Sequence, residues 1–271
     1  MEMRIYKQEI MKIRIVVLAL LIAGALGSCR NDKKDALTAL DIASGKIQNS
    51  IDSLNGVLAS AAESLAKVVA DPEAVRARLK QVCSGSLLTK EVAFITPGGN
   101  KQIIKLPSAM EYKGTGLNQE SRMKEAMQSK QPVFSGLFKA PDGLPTVGDV
   151  YPVVSGSTVV GAIESVFTPH DLIHNVRITL VTAPNEIWVM DQDGTVIYQQ
   201  DSGTVGKNVF QDDSFSKFNN FQTACRTIAG AESGEVNYSY YATGTTNPVD
   251  KTAYWKTLKM HDKSWKIIYT L

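Results

Sequence analysis

The sequence is poor in histidine, cysteine and surplus charge, and each shortage narrows the function. Only three histidines, His170, His174 and His261, stand among 271 residues, so a histidine-rich metal centre has few ligands to draw on. The three cysteines, Cys29, Cys83 and Cys225, form no CxxC pair. Lys and Arg number 29 against 27 Asp and Glu, a formal net charge of +2. No Lys/Arg run interrupts that balance, which argues against a nucleic-acid surface. No apolar run reaches the roughly 20 residues that a spanning helix needs. Serine elbows and phosphate loops are missing too, and no catalytic constellation is left. Apolar residues make up 44% of the chain, ordinary for a protein with a core.

What is present begins with an address. Lys12 and Arg14 precede an apolar run from Ile15 to Leu26, which ends in small residues. That is the layout of a secretory signal, with Met11 a credible start. Leu26-Gly27-Ser28-Cys29 resembles a prokaryotic lipobox, which implies acylation of Cys29. Residues 1–28 are then a lipoprotein signal peptide and 29–35 a polar, lipid-anchored tether. A plain signal peptide with an incidental cysteine, or an uncleaved anchor, are the alternatives. With Cys29 lipidated, Cys83 and Cys225 are left either as buried thiols, the favoured reading, or as a bridge between the two halves.

From Asp35 to Ala70 the apolar residues Leu37, Leu40, Ala43, Ile47, Ile51, Leu54, Leu58, Ala61, Leu65 and Val68 step by threes and fours. This is the seam of one long helix. Gly45 and Gly56 weaken it by about 1 kcal/mol each. Such a helix rises roughly 50 Å, more than a small domain needs, and reads as a stalk and spine. Asp71 as cap and Pro72 in the first turn start a second helix that Ser84-Gly85-Ser86 stops. Together these spine helices occupy 36–84.

The body follows in two similar halves. In the first, Val92–Thr96 and Gln102–Leu106 flank the turn Pro97-Gly98-Gly99-Asn100, and a helix runs over Asn118–Ser129. Strands follow over Pro132–Lys139, Val147–Ser155 and Thr158–Phe167. Thr168 and Pro169 open a connector helix that continues to about Val181. In the second half, Glu186–Asp191 and Thr195–Gln199 flank Gln192-Asp193-Gly194, and Phe215–Ala229 is partly helical. Gly234–Ala242, Lys251–Met260 and Ser264–Thr270 close the chain. The expected architecture is α+β: a long N-terminal helix followed by two PAS-like modules. Each module, 85–168 and 184–271, is a five-stranded antiparallel sheet flanked by short helices, and the connector at 169–183 joins them.

The phrases KQPVFSGLFKA, YPVVSGSTVVGAIESVFTP, IWVMDQDGTVIYQQDSGTVGKNVF and KTAYWKTLKMHDKSWKIIY, in that order, resemble the double Cache family of extracellular sensor domains. They look most like its stand-alone lipoproteins in methanogenic archaea and some bacteria. The resemblance covers about Asp35 to Leu271. It implies a non-catalytic sensor of small polar molecules (amino acids, carboxylates or amines) with its pocket in the membrane-distal first module. It also implies a lipid-anchored place outside the cytoplasm and a separate membrane partner, since no transmitter segment follows Leu271. The family's amino-acid-binding version has an aromatic residue soon after its arginine. Here Met123 follows Arg122, which sets this chain apart.

Arg122 is the candidate for a ligand carboxylate, because its fork can hold both oxygens. Tyr112, Phe134, Ser135, Tyr151 and Glu164 are candidates for the pocket wall, although core packing would also explain Phe134 and Tyr151. In the second module Trp188, Asp191, Tyr198, Tyr238, Tyr240 and Trp255 suggest either an aromatic cage for an ammonium or the core of a half-buried sheet. His170 and His174, four apart in HDLIH, resemble a zinc-protease helix with Asp171 in place of Glu. A metal-dependent hydrolase is accordingly a remote alternative, and neither a resident metal nor a cofactor is expected. A third reading is an interaction protein, pairing with a receptor or a second copy through Ile47, Ile51, Leu54 and Leu58.

Overall fold

The structure is a computed structural model. It describes residues 2–99, 101–105, 110–111, 117–180, 186–200, 202–241 and 248–271. Side-chain surroundings are described for these except 2–31, 101, 104–105, 110–111, 117–120, 186 and 240–241. Tyr112 and the side chains of Cys29 and Tyr240 therefore lie outside the described residues.

Helix α1 runs from Glu2 to Leu65 without a break, so the segment expected as a tether is helical. The buried stripe comprises Ala36, Leu40, Ala43, Ile47, Ile51, Leu54, Leu58 and Leu65, all at most 1% exposed. Leu37, expected in that stripe, is 38% exposed; the 3.6-residue repeat turns it outward and puts the smaller Ala36 and Ala39 against the body. The helix ends at Leu65 rather than Ala70. Beyond it the backbone tightens to i→i+3 bonds, with the Val68 amide donating to the Leu65 carbonyl at 3.0 Å. Asp71 then caps α2 (Pro72–Gly85), its carboxylate accepting from the amides of Glu73 and Ala74 at 3.0 and 3.2 Å.

The first sheet is antiparallel and has seven strands, two more than expected. Its long members are β1 (Glu91–Ile95), β2 (Lys101–Lys105), β6 (Pro145–Ser155) and β7 (Thr158–Phe167). The other three are two-residue strands: β3 (Met110–Glu111), β4 (Val133–Phe134) and β5 (Phe138–Lys139). The strand expected over Pro132–Lys139 is split into β4 and β5, which pair with β6 at different places. Helix α3 (Leu117–Ser129) covers one face of this sheet through Met123 and Ala126, which meet Ala93, Ile95, Val150 and Ala162. The opposite face packs on α1.

Helix α4 (Pro169–Arg177), capped by Thr168, joins the halves. The second sheet is antiparallel and five-stranded, in the order β10 (Ser233–Tyr241), β11 (Pro248–Met260), β12 (Lys263–Thr270), β8 (Glu186–Asp191), β9 (Val196–Tyr198). Helix α5 (Asn219–Gly230) covers its outer face through Ala224, Cys225 and Ile228. The inner face, with Ile187, Val189, Leu258 and Ile267, joins the same apolar core as α1 and the inner face of the first sheet.

One core therefore runs through the spine and both modules. The seam residues Ile47, Ile51, Leu54 and Leu58 are spent inside it and do not face outward as a pairing surface. Polar contacts hold the spine in register. Lys33 meets Glu235 at 2.5 Å, Asp41 meets Lys256 at 2.5 Å, and Lys46 donates to Thr179 at 2.8 Å. These pairs are exposed and worth at most about 1 kcal/mol each; they specify position more than they stabilise. Cys83 and Cys225 form no disulfide and are buried. Burial pushes their thiols up to about 11 and about 12.

Candidate ligand-binding sites

On the α3 side of the first sheet two of the expected residues meet. Strand β7 presents Glu164 inward, fully buried, directly across from Val150 of β6. Arg122 projects from the second turn of α3. Its Nε and Nη2 donate to Glu164 Oε1 at 2.9 and 2.7 Å, and its side chain is 12% exposed. The guanidinium also lies over the Phe138 ring, 4.0 Å from the centroid, a cation–π contact.

Gly148 makes room for the pair. A Cβ there would sit 2.1 Å from Glu164 Oε1, so only glycine leaves space for that carboxylate. Ser135 is beside it, its hydroxyl accepting from the Gly148 amide at 2.7 Å and donating to the Gly136 carbonyl at 2.8 Å. Charged and polar groups thus converge on an otherwise apolar face between α3 and the sheet.

Phe134 and Tyr151 belong to the other face. They alternate with Val133 and Val150, which point towards α3, so the pleat turns both rings towards the spine and the second module. Phe134 packs edge-on against Trp265 at 5.6 Å and against Phe167 at 6.2 Å. Tyr151 packs edge-on against His261 at 5.4 Å. Burial raises the Tyr151 hydroxyl above its ordinary value, and the carboxylates of Asp149 and Asp52 add to the effect. Both residues are removed from the expected pocket wall.

Asp149, which the sequence did not single out, is fully buried on this inner face. Its Oδ1 lies 3.0 Å from His261 Nε2, and Oδ2 has no hydrogen-bond partner among the described residues. Burial raises its pKa above the ordinary carboxylate value, and the hydrogen bond and charge of His261 offset part of that rise.

In the second module the expected aromatic set divides. Trp188 and Tyr238 line a cavity beneath the segment leading into α5, together with Phe215, Phe218 and Phe221. Those three phenylalanines recur every third residue, a signal that the reading of this segment as partly helical left unused. Tyr198 faces the shared core. Trp255 packs over Gly234, its indole N–H donating to the Ala231 carbonyl at 3.0 Å. Asp191 begins the β8–β9 turn, where its carboxylate accepts from the Asp193 amide at 2.8 Å. Burial, with the Asp193 side chain adding to it, pushes Asp191 up to about 6, against the lowering effect of that amide.

His170 and His174 lie on one face of α4, with rings stacked at 5.2 Å. His261 is engaged with Asp149 in the other direction. Among the described residues no group of three His, Cys, Asp or Glu side chains is placed to hold a metal ion. No helix among them is long and apolar enough to cross a membrane.

Comparison with known proteins adds to this geometry. The family model described as the HK/GC/chemotaxis protein-like sensor domain matches residues 49–169. That stretch takes in the second half of the spine and the whole first sheet, and it stops at the start of α4. Similar folds are found among ligand-binding domains of chemoreceptors. That of the Pseudomonas fluorescens chemoreceptor CtaA, solved with L-serine, superposes with a TM-score of 0.64 at 15% identity over 89% of this chain and 98% of its own. This is the double Cache, PAS-like fold. That of the Pseudomonas aeruginosa PAO1 amino acid chemoreceptor PctB, solved with L-Arg, gives 0.65 at 15% identity over 89% and 95%. An extracellular ligand binding receptor from Desulfohalobium retbaense gives 0.65 at 18% identity over 86% of this chain, which spans 39% of that longer receptor. Curated protein sequences give no match.

Proposed function

We propose that this protein is a ligand-binding sensor that works outside the cytoplasm, and that its ligand sits in the first module at the Arg122–Glu164 pair. The observation that carries this reading is the pair itself. Taking two charges out of water costs several kcal/mol per ion, which a buried ion pair seldom recovers as net stability. An arginine and a glutamate facing each other between a helix and a sheet also form the mould of a zwitterion. A ligand carboxylate can take the Arg122 fork while a ligand ammonium takes the Glu164 carboxylate, so every charge keeps a partner. The chemoreceptor domains of similar fold are solved in complex with L-serine, L-Gln, L-Arg and GABA, all of them amino acids. The ligand class we infer is therefore a small amino acid.

The lipobox and the spine complete the proposal. Acylation of Cys29 would hold the chain at a membrane surface, and α1, which touches both modules, would carry ligand occupancy towards a membrane partner. The protein acts by binding and not by catalysis.

The test is calorimetric titration of the purified full chain with amino acids, simple carboxylates and simple amines. Binding of an amino acid, lost in both Arg122→Gln and Glu164→Gln, is the expected result. Binding of a plain carboxylate that survives Glu164→Gln would make the ligand an anion. Binding that neither substitution weakens, or no binding in any class, would overturn the assignment.

A further inference from the structure

The cavity of the second module encloses about 180 Å³, below the roughly 300–1,000 Å³ of sites for whole drug-sized ligands. It can hold a head group and little more. Phe221 is the lining residue common to three ring contacts. The Phe221 ring is 5.9 Å from Trp188, 5.9 Å from Phe215 and 5.4 Å from Tyr238, at interplanar angles of 38°, 31° and 58°. Phe221 thus ties Trp188, Phe215 and Tyr238 into one cluster of tilted rings along the cavity wall. Phe218 adds a fifth ring to the lining.

None of the described residues lining the cavity is ionisable near neutral pH. Its polar edge is Gln199 and Thr204, whose hydroxyl donates to the Gln199 amide oxygen. The Trp188 indole N–H is engaged with Thr270 at 3.1 Å. Each ligand class meets this lining differently. An anion would face the negative faces of the rings. A primary ammonium would bring three N–H donors to a mainly aromatic wall with few acceptors, and a buried unpaired donor costs a few kcal/mol. A fully methylated ammonium has no N–H to satisfy, and its spread charge is attracted to several ring faces at once. We propose that this cavity binds the methylated head group of a small quaternary amine.

The site is separate from the Arg122–Glu164 pair and stands or falls without it. The experiment compares choline, its neutral tert-butyl isostere and ethanolamine by calorimetric titration of the full chain, with tryptophan fluorescence as a second readout. Choline should bind, with the isostere and ethanolamine each at least about tenfold weaker, the scale of a desolvated cation–π contact. Phe221→Leu keeps an apolar side chain and removes the ring; it should weaken choline about tenfold or more. Phe215→Leu, at a half-exposed position, provides a second variant should Phe221→Leu fail to fold, and melting curves identify the folded ones. Equal binding of choline and isostere would mean a simple apolar hollow and would overturn the proposal, as would the absence of choline binding. Choline binding lost with Arg122→Gln but retained in both phenylalanine variants would place the ammonium in the first module, which also overturns it.

Discussion

His261 and Asp149 join the two modules by a hydrogen bond of 3.0 Å across 112 residues of chain. His261 lies in the two-residue turn between β11 and β12 with φ at 52°, a left-handed conformation that histidine tolerates better than most residues. The turn thereby aims its ring at β6 of the first module. There the imidazole meets a carboxylate that has no exposure of its own.

This contact should show in the pH dependence of stability. Burial holds the folded-state pKa of Asp149 above its unfolded value, so the folded protein retains a proton that the unfolded chain has released. The stability contributed by the protonated group is complete below the unfolded value, about 4, and is lost as pH rises through the folded value. Urea unfolding across that range should give a shallower fall for Asp149→Asn than for the parent. His261→Ala leaves Asp149 Oδ1 without its partner and should destabilise by about 1–3 kcal/mol at neutral pH. That cost should shrink in the Asp149→Asn background, and additive costs would show that the contact does not form.

Gly148 gives a sharper test of the first site. The added methyl of Gly148→Ala would collide with Glu164 Oε1 and force the carboxylate away from Arg122. The expected result is a loss of about 1–3 kcal/mol, the usual cost of overpacking. Combining it with Glu164→Ala should recover part of that loss, because the colliding atoms are gone. Equal losses in both backgrounds, read from chemical denaturation, would mean that Gly148 is not there to seat Glu164.

Leu54 separates a spine from a pairing surface. It is 1% exposed in the core shared by α1 and both modules. Leu54→Ala should cost about 2–5 kcal/mol and leave the mass in solution unchanged. A variant of parental stability with an altered oligomeric state would restore the pairing reading.

The long helix was legible because its seam repeats over many turns, so each step reinforces the last. Its end was not: after Leu65 the chain keeps turning through Val68 and Val69 with tighter hydrogen bonds, and apolar spacing does not distinguish the two windings. Most strand positions were readable from β-branched runs between turn residues, as for Thr158–Phe167. Which face looks at which helix was not, because β6 and β7 are buried on both sides and show little alternation. Phe134 and Tyr151 were therefore placed on the pocket wall when one step of the pleat puts them on the spine side. Glu164 was visible as a charge in an apolar strand and Arg122 as one charge among several on a helix, but nothing local connects residues 42 apart. Asp149 and His261 were further beyond reach, since only the docking of two modules brings them together. In the cavity of the second module, Trp188 and Tyr238 announced themselves as aromatic residues in strands, while the three-residue spacing of Phe215, Phe218 and Phe221 fell in a segment read only as partly helical.

The unbroken core along α1 has a consequence for inheritance. Two leaves hinged on one rod can be traded separately between proteins only if each keeps its own fastening. Here Leu40 through Leu65 fasten both at once, so neither half can be cut out or grafted elsewhere without a stretch of the rod. Shortening that rod by a single residue would rotate every later fastening by about 100°. The spine's length and phase are thus tied to the two modules more tightly than any loop between them.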